Sequence, residues 1–201
     1  PTSKEMFAAT IFAKYIDQPI ERTILASATG SGQTITYFNN DNATLFGAEF
    51  EAIIQLSRLN ENLEGFSFGF NTSLMITEST IDKKRPGSDF DTFTKRNLQG
   101  ASNWLLNSDL KYEFNLGSTC KNTASLVYNV YGERIYAVGI AGYDHIYEKP
   151  FHKLDFVWGS SINKKWDLKF SVDNILNPLY TRERGTENKI SIEESSLVEQ
   201  S

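Results

Sequence analysis

The sequence predicts an all-β chain: a segment of an antiparallel, up-and-down transmembrane β-barrel, about seven strands of a larger barrel. Three observations carry this reading. Apolar side chains recur at every second position over long stretches, the period of a strand with one apolar and one polar face. Those stretches run to about 11–15 residues, against roughly 5–6 for a strand of a soluble protein. The connections alternate long, short, long, short, long, short, and a long polar tail follows. A soluble sandwich has no reason to gather every long connection at one end. A membrane barrel does, with short periplasmic turns and long external loops.

The clearest unit is His152 to Leu176. His152, Leu154, Phe156, Trp158, Ser160 and Ile162 share one face, and Lys153, Asp155, Val157, Gly159 and Ser161 share the other. Asn163 to Lys165 is a connection of hairpin length. Beyond it, Trp166, Leu168, Phe170 and Val172 oppose Asp167, Lys169, Ser171 and Asp173.

The remaining strands follow the same rule. In Glu5 to Ile16 the uncharged face is odd: Phe7, Ala9, Ile11, Ala13 and Tyr15. Thr44 to Ser57 sets Phe46, Ala48, Phe50, Ala52 and Ile54 against Glu49, Glu51 and Gln55. Gly65 to Thr77 sets Phe66, Phe68, Phe70, Leu74 and Ile76 against Ser67, Gly69, Asn71 and Ser73. Ser102 to Phe114 sets Trp104, Leu106, Leu110, Tyr112 and Phe114 against Asn103, Asn107, Asp109, Lys111 and Glu113. Asn122 to Tyr136 sets Ala124, Leu126, Tyr128 and Val130 against Ser125, Asn129, Tyr131 and Glu133. Lipid is therefore expected on the even side of six strands and on the odd side of the first. Aromatic residues near strand ends (Tyr15, Phe46, Phe66, Trp104, Tyr112, Phe114, Trp166) suit interfacial girdles. Ile20 to Asn42, with a strand extension at Thr34 to Phe38, reads as an external loop. So do Glu78 to Ala101, Ala137 to Phe151 and the region after Asn177.

Composition bounds the alternatives. The chain has 201 residues, 40% hydrophobic and 13% aromatic, so it is not a disordered chain. By length alone it would make one or two soluble domains. A net charge of -5 with scattered Lys and Arg argues against a nucleic-acid surface. The single cysteine, Cys120, excludes an internal disulfide. No apolar run approaches the roughly 20 residues of a membrane helix, but barrel strands hide their apolar residues at alternate positions. The chain lacks an initiator Met and a signal peptide, and Pro1 reads as a cut point.

No residue emerges as catalytic, cofactor-binding or metal-ligating, and ligand contacts stay unassigned. Glu49 and Glu51, about 7 Å apart along a strand, have the reach of an acid/base pair but read as two carboxylates facing a wet lumen. Asp89 and Asp91 read as solvated loop residues, since the run lacks calcium-loop spacing. His145 and His152 have no metal-binding companions in sequence. His152 reads as an interfacial side chain and Cys120 as a bystander thiol. Thr29 to Gly32 lacks the strand-to-helix setting of a phosphate cradle.

Three strings carry a family resemblance. They are F-G-A-E-F-E-A (Phe46 to Ala52), L-V-Y-N-V-Y-G-E-R-I (Leu126 to Ile135) and D-N-I-L-N-P-L-Y (Asp173 to Tyr180). In this order and spacing the chain resembles the C-terminal barrel portion of TonB-dependent outer-membrane receptors, most like those of Bacteroidetes-type bacteria. The resemblance covers essentially residues 1–201. It implies a barrel of about 22 strands around a plug domain, in the outer membrane of a Gram-negative cell. It also implies non-enzymatic uptake energised by the TonB complex. The ligand would be a small nutrient: an iron chelate, a cofactor, a glycan or a peptide. The expected partners are outer-membrane lipid, the plug and remaining barrel strands, the TonB complex and that ligand, with no nucleic acid. The plug and the final strand are expected to lie outside this chain. Two other readings fit the same alternation: a soluble antiparallel β-sandwich or β-barrel binding module, and an autotransporter or small porin-like channel.

Overall fold

Each long alternating stretch forms a strand in the computed structural model, which describes residues 4–26, 33–81, 95–140, 144–185 and 190–196. In chain order the strands are β1 (Met6–Asp17), β2 (Ile20–Ala26), β3 (Gln33–Asn39), β4 (Asn42–Gln55), β5 (Phe66–Thr80), β6 (Lys95–Arg96) and β7 (Trp104–Leu116). They continue with β8 (Cys120–Tyr131), β9 (Arg134–Gly139), β10 (Ile146–Glu148), β11 (His152–Ile162), β12 (Trp166–Val172), β13 (Leu179–Arg184) and β14 (Ile190–Ser196). They make two sheets. The wall runs β1-β4-β5-β7-β8-β11-β12, with β6 beside the end of β5. The second sheet runs β14-β13-β10-β9-β2-β3.

All neighbours in the wall are antiparallel and joined in chain order, which is up-and-down topology. Wall strands β1, β4, β5, β7, β8 and β11 are 12, 14, 15, 13, 12 and 11 residues long. Each suffices to cross a bilayer when tilted.

The register settles which faces agree. Phe7 lies opposite Ala52 and Ile11 opposite Ala48, so odd positions of β1 share a side with even positions of β4. From there even meets even: Phe46 with Ile76, Phe68 with Leu110, Leu110 with Leu126, Leu126 with Phe156, and Phe156 with Val172. A one-residue slip at any pair would have put apolar groups on both sides. The expected lipid side is therefore continuous across the wall. Among the described residues no part of the second sheet covers it: Ile11 and Ile76 are each 76% exposed, and Phe7, Phe46, Leu74, Leu168 and Phe170 are also exposed. A soluble sandwich would bury this side against its partner sheet, so that reading does not hold.

Gln18, Pro19, Asn40 and Asp41 join the β1/β4 hairpin to the β2/β3 hairpin, with Gln18 at φ 46°. Register is kept through the joint: Asp17 faces Asn42, and Ile20 faces Asn39. The second sheet caps the polar side of the wall at the end away from the short turns. Asn40 Nδ2 donates to Ser79 Oγ at 3.2 Å, Leu98 N donates to Thr77 Oγ1 at 3.0 Å, and the Tyr131 hydroxyl donates to Glu148 at 2.5 Å. Ser79, Thr77 and Tyr131 all occupy polar-side positions. The buried apolar clusters sit in this cap. Ile24, Ala137 and Ile146 form one, beside Tyr136; Ile135, Val138 and Ile140 form the other, beside Phe38 and Tyr147.

The loop assignments need correction. Ile20 to Asn42 is a hairpin rather than a loop, and its β3 contains the expected extension at Thr34 to Phe38. The strand read as Asn122 to Tyr136 breaks at Gly132 and Glu133, where the chain leaves the wall and enters the cap as β9. A Cβ at Gly132 would stand 2.5 Å from Trp104 Nε1, so the exit passes too close to that ring for any side chain. Ala137 to Phe151 includes β10, and the tail after Asn177 includes β13 and β14. The wall strand from Trp166 ends at Val172, because Asp155 Oδ1 accepts from Asn174 N at 2.7 Å and turns the chain away.

Candidate functional site

The polar side of the wall is a surface of aligned rows. Glu51, Asn71, Asn107, Asn129 and Lys153 are successive cross-strand partners, so three carboxamides stand side by side between an acid and a base. The next row toward the short turns holds Ile53, Gly69, Asp109, Val127 and Asp155. Asn71 Nδ2 donates to Glu49 Oε1 at 2.7 Å, which ties one row to the next. A Cβ at Gly69 would lie 2.3 Å from Asp109 Oδ1, so the glycine gives that carboxylate its space. Buried without partners, such groups would each cost a few kcal/mol, about 1–3. A wet lumen, or a polar partner inside it, removes that cost.

A cavity of about 270 Å³ lies where this surface meets the cap. Leu105, Asn107, Asn129 and Tyr131 line its wall side, and Gly100 to Ser102 and Arg134 line its cap side. It offers amide donors and acceptors, one aromatic ring and one guanidinium. Arg134 stacks over Tyr131, with Cζ 4.3 Å from the ring centre. It also donates through Nη2 to Glu148 Oε1 at 2.6 Å. Burial pushes the Glu148 carboxyl up, but hydrogen bonds from Tyr131, Tyr180 and Arg134 outweigh it and hold the group below the usual carboxylate range. Burial likewise works against the Arg134 charge, yet its bond to Glu148 carries it above its ordinary value.

A second node fixes the cap. Glu21, 1% exposed, pairs with Arg96 through both carboxylate oxygens and accepts from Asn40 Nδ2 and from Gln99 N. Gln99 accepts from Arg22 N at 2.6 Å and donates to the carbonyls of Arg22 and Tyr136 at 2.8 and 2.9 Å. One carboxylate thereby joins β2, β6 and the segment before β7, and Gln99 extends the link to β9.

The residues singled out from sequence do not assemble into a catalytic or metal site. Glu49 and Glu51 share the polar side, with Glu49 engaged by Asn71. Asp89, Asp91 and Thr29 to Gly32 lie outside the described residues. His145 is in the cap, where its Nδ1 accepts from Gly139 N at 3.2 Å. His152 is on the lipid side of the wall, 2.6 Å from the Tyr128 hydroxyl. Cys120 Sγ is 3.2 Å from Ser160 Oγ, beside the short turns. No group of three or more His, Cys, Asp or Glu placed to hold a metal occurs among the described residues. Glu21, Arg96, Gln99, Arg134 and Glu148 gave no sequence signal as a site. The only hint was charge inside otherwise uncharged alternation, as in I-E-R-T-I and I-Y-E.

A lipid-facing apolar side, a polar lumen side and a cap over one end are the parts of an outer-membrane receptor barrel. A family model described as TonB dependent receptor-like, beta-barrel, matches residues 3–175. The chain belongs to the TonB-dependent receptor β-barrel family. This is a receptor and transporter family of the Gram-negative outer membrane, not a family of enzymes. Comparison with curated proteins gave no match, and comparison with solved structures gave none. In a TonB-dependent receptor the polar rows face the interior, where family members hold a plug domain.

Proposed function

We propose that this chain is a sector of a closed receptor barrel that imports a small nutrient across the outer membrane, energised by the TonB complex. The observation that carries the reading is the shared register of seven wall strands, which puts apolar groups on one side and carboxamides, acids and bases on the other. Free backbone edges do not persist in lipid. The outer edges of β1 and β12 therefore pair with further strands of the same receptor, around a plug.

The cavity between cap and wall is the ligand-selecting site in this account. Its amides and the Tyr131–Arg134 pair suit a polar nutrient: an iron chelate, a cofactor, a glycan or a peptide. The test is uptake by cells that carry the full-length receptor, with labelled nutrients of these four classes supplied in turn. One class should accumulate, accumulation should stop when TonB is inactivated, and Asn107→Leu with Asn129→Leu should reduce it. Accumulation that persists without TonB would point to a passive channel instead.

A further inference from the structure

The two edges of the cap sheet differ in chemistry. β14 reads I-S-I-E-E-S-S and carries Glu193 and Glu194. β3 reads Q-T-I-T-Y-F-N, with no charge and no proline. It pairs with β2 in unbroken register from Gln33 to Asn39. Folded proteins protect a free edge with charge, proline, a bulge or brevity. β3 uses none of these over its seven residues, and among the described residues its second side has no strand partner. On β3 itself Tyr37 is 60% and Ile35 53% exposed, and on β2 beside it Ile20 is 69% exposed. Ile35 and Tyr37 are two positions apart and so share one face of the edge strand, opposite Ile24 and Arg22 of β2, and the exposed apolar strip follows the open edge.

Strand order indicates what covers it. The cap contains β14 and β13 from beyond β12, then β10 and β9 from the β8–β11 connection, then β2 and β3 from the β1–β4 connection. Read this way it repeats the order of the wall from β12 back to β1. The bare edge thus lies at the β1 end, where the wall itself continues in the closed barrel. We propose that a strand from the external connection of the receptor's wall strands preceding β1 pairs with β3. The cap would then continue around the barrel mouth as a second ring of strands. The added strand alternates, with apolar side chains against Ile35 and Tyr37 and polar ones on the opposite face. This rests on the closed-barrel reading above.

The test is amide hydrogen exchange on the full-length receptor in detergent micelles, resolved along β1 and β3. In β3 alternate amides point toward β2 and the others point away from it. If a strand covers β3, both sets exchange slowly, as do the outward amides of β1. Single cysteines stepped through the preceding connection, in a Cys120→Ser background, should then form a disulfide with Tyr37→Cys at positions two residues apart. If the outward amides of β3 exchange freely while those of β1 are protected, the inference fails and the barrel stands. If both exchange freely, the closed barrel fails and takes the inference with it. Protection of β3 that appears only after another protein is added would also overturn it.

Discussion

At the residue scale the account depends on two buried carboxylates in the cap. The side chains of Glu21 and Arg96 are only 2% and 5% exposed, so removing either partner strands a charge. For Glu21→Ala the expected loss is about 3–5 kcal/mol of cap stability. It should appear as faster amide exchange in β2, while β4 and β5 are unaffected. Glu21→Leu combined with Arg96→Met should lose less than either single change, since it removes both charges together. Glu148 makes the cap acid-sensitive. Its folded carboxyl titrates below the usual range, so its stabilisation is complete above the unfolded value and fades as pH falls through the lowered one. Exchange in β10 should accelerate only below the ordinary carboxyl range, and Glu148→Gln should abolish that dependence.

At the element scale the wall strands carry separate tolerances on their two sides. Leu110 is on the lipid side between Phe68 and Leu126, in the seventh position of a 13-residue strand. Leu110→Lys should cost about 2–4 kcal/mol near the bilayer middle, measured by denaturant unfolding of the full-length receptor in vesicles. Its neighbour Asp109 faces the lumen, so Asp109→Asn should leave unfolding nearly unchanged. Gly69→Val acts differently: it forces the Asp109 carboxylate out of its place and perturbs the lumen row without touching lipid. The wall was legible in sequence because alternation over a long strand repeats a simple signal many times. Phe66, Phe68 and Phe70 declare their side without help from any partner. Of the cap, only β3 was legible, as the extension at Thr34 to Phe38. β10 has three residues and β13 has six, too few to establish a period. They form because β9 offers a hydrogen-bonding edge and Ile135, Ala137 and Val138 offer apolar cover. The Glu21–Arg96 pair spans 75 positions of sequence and follows no spacing rule.

At the scale of the whole molecule, the apolar clusters are in the cap rather than the wall, the reverse of a soluble sheet protein. The wall keeps its apolar residues outside because its solvent there is lipid, which also explains the exposed Phe, Leu and Ile side chains on six of the seven wall strands, β11 excepted. The parity change in β1 is part of the same arrangement: odd positions join the lipid side because Phe7 faces Ala52. The central claim is therefore the assignment of the two sides. Its most direct test is a nitroxide scan of β7 from Leu105 to Tyr112, one spin label at a time, in the full-length receptor in bilayers. The account predicts that labels at Leu106, Ser108, Leu110 and Tyr112 collide mainly with oxygen dissolved in lipid. Labels at Leu105, Asn107, Asp109 and Lys111 should show little contact with lipid. A scan without this two-residue period, or with the sides reversed, would contradict the barrel assignment.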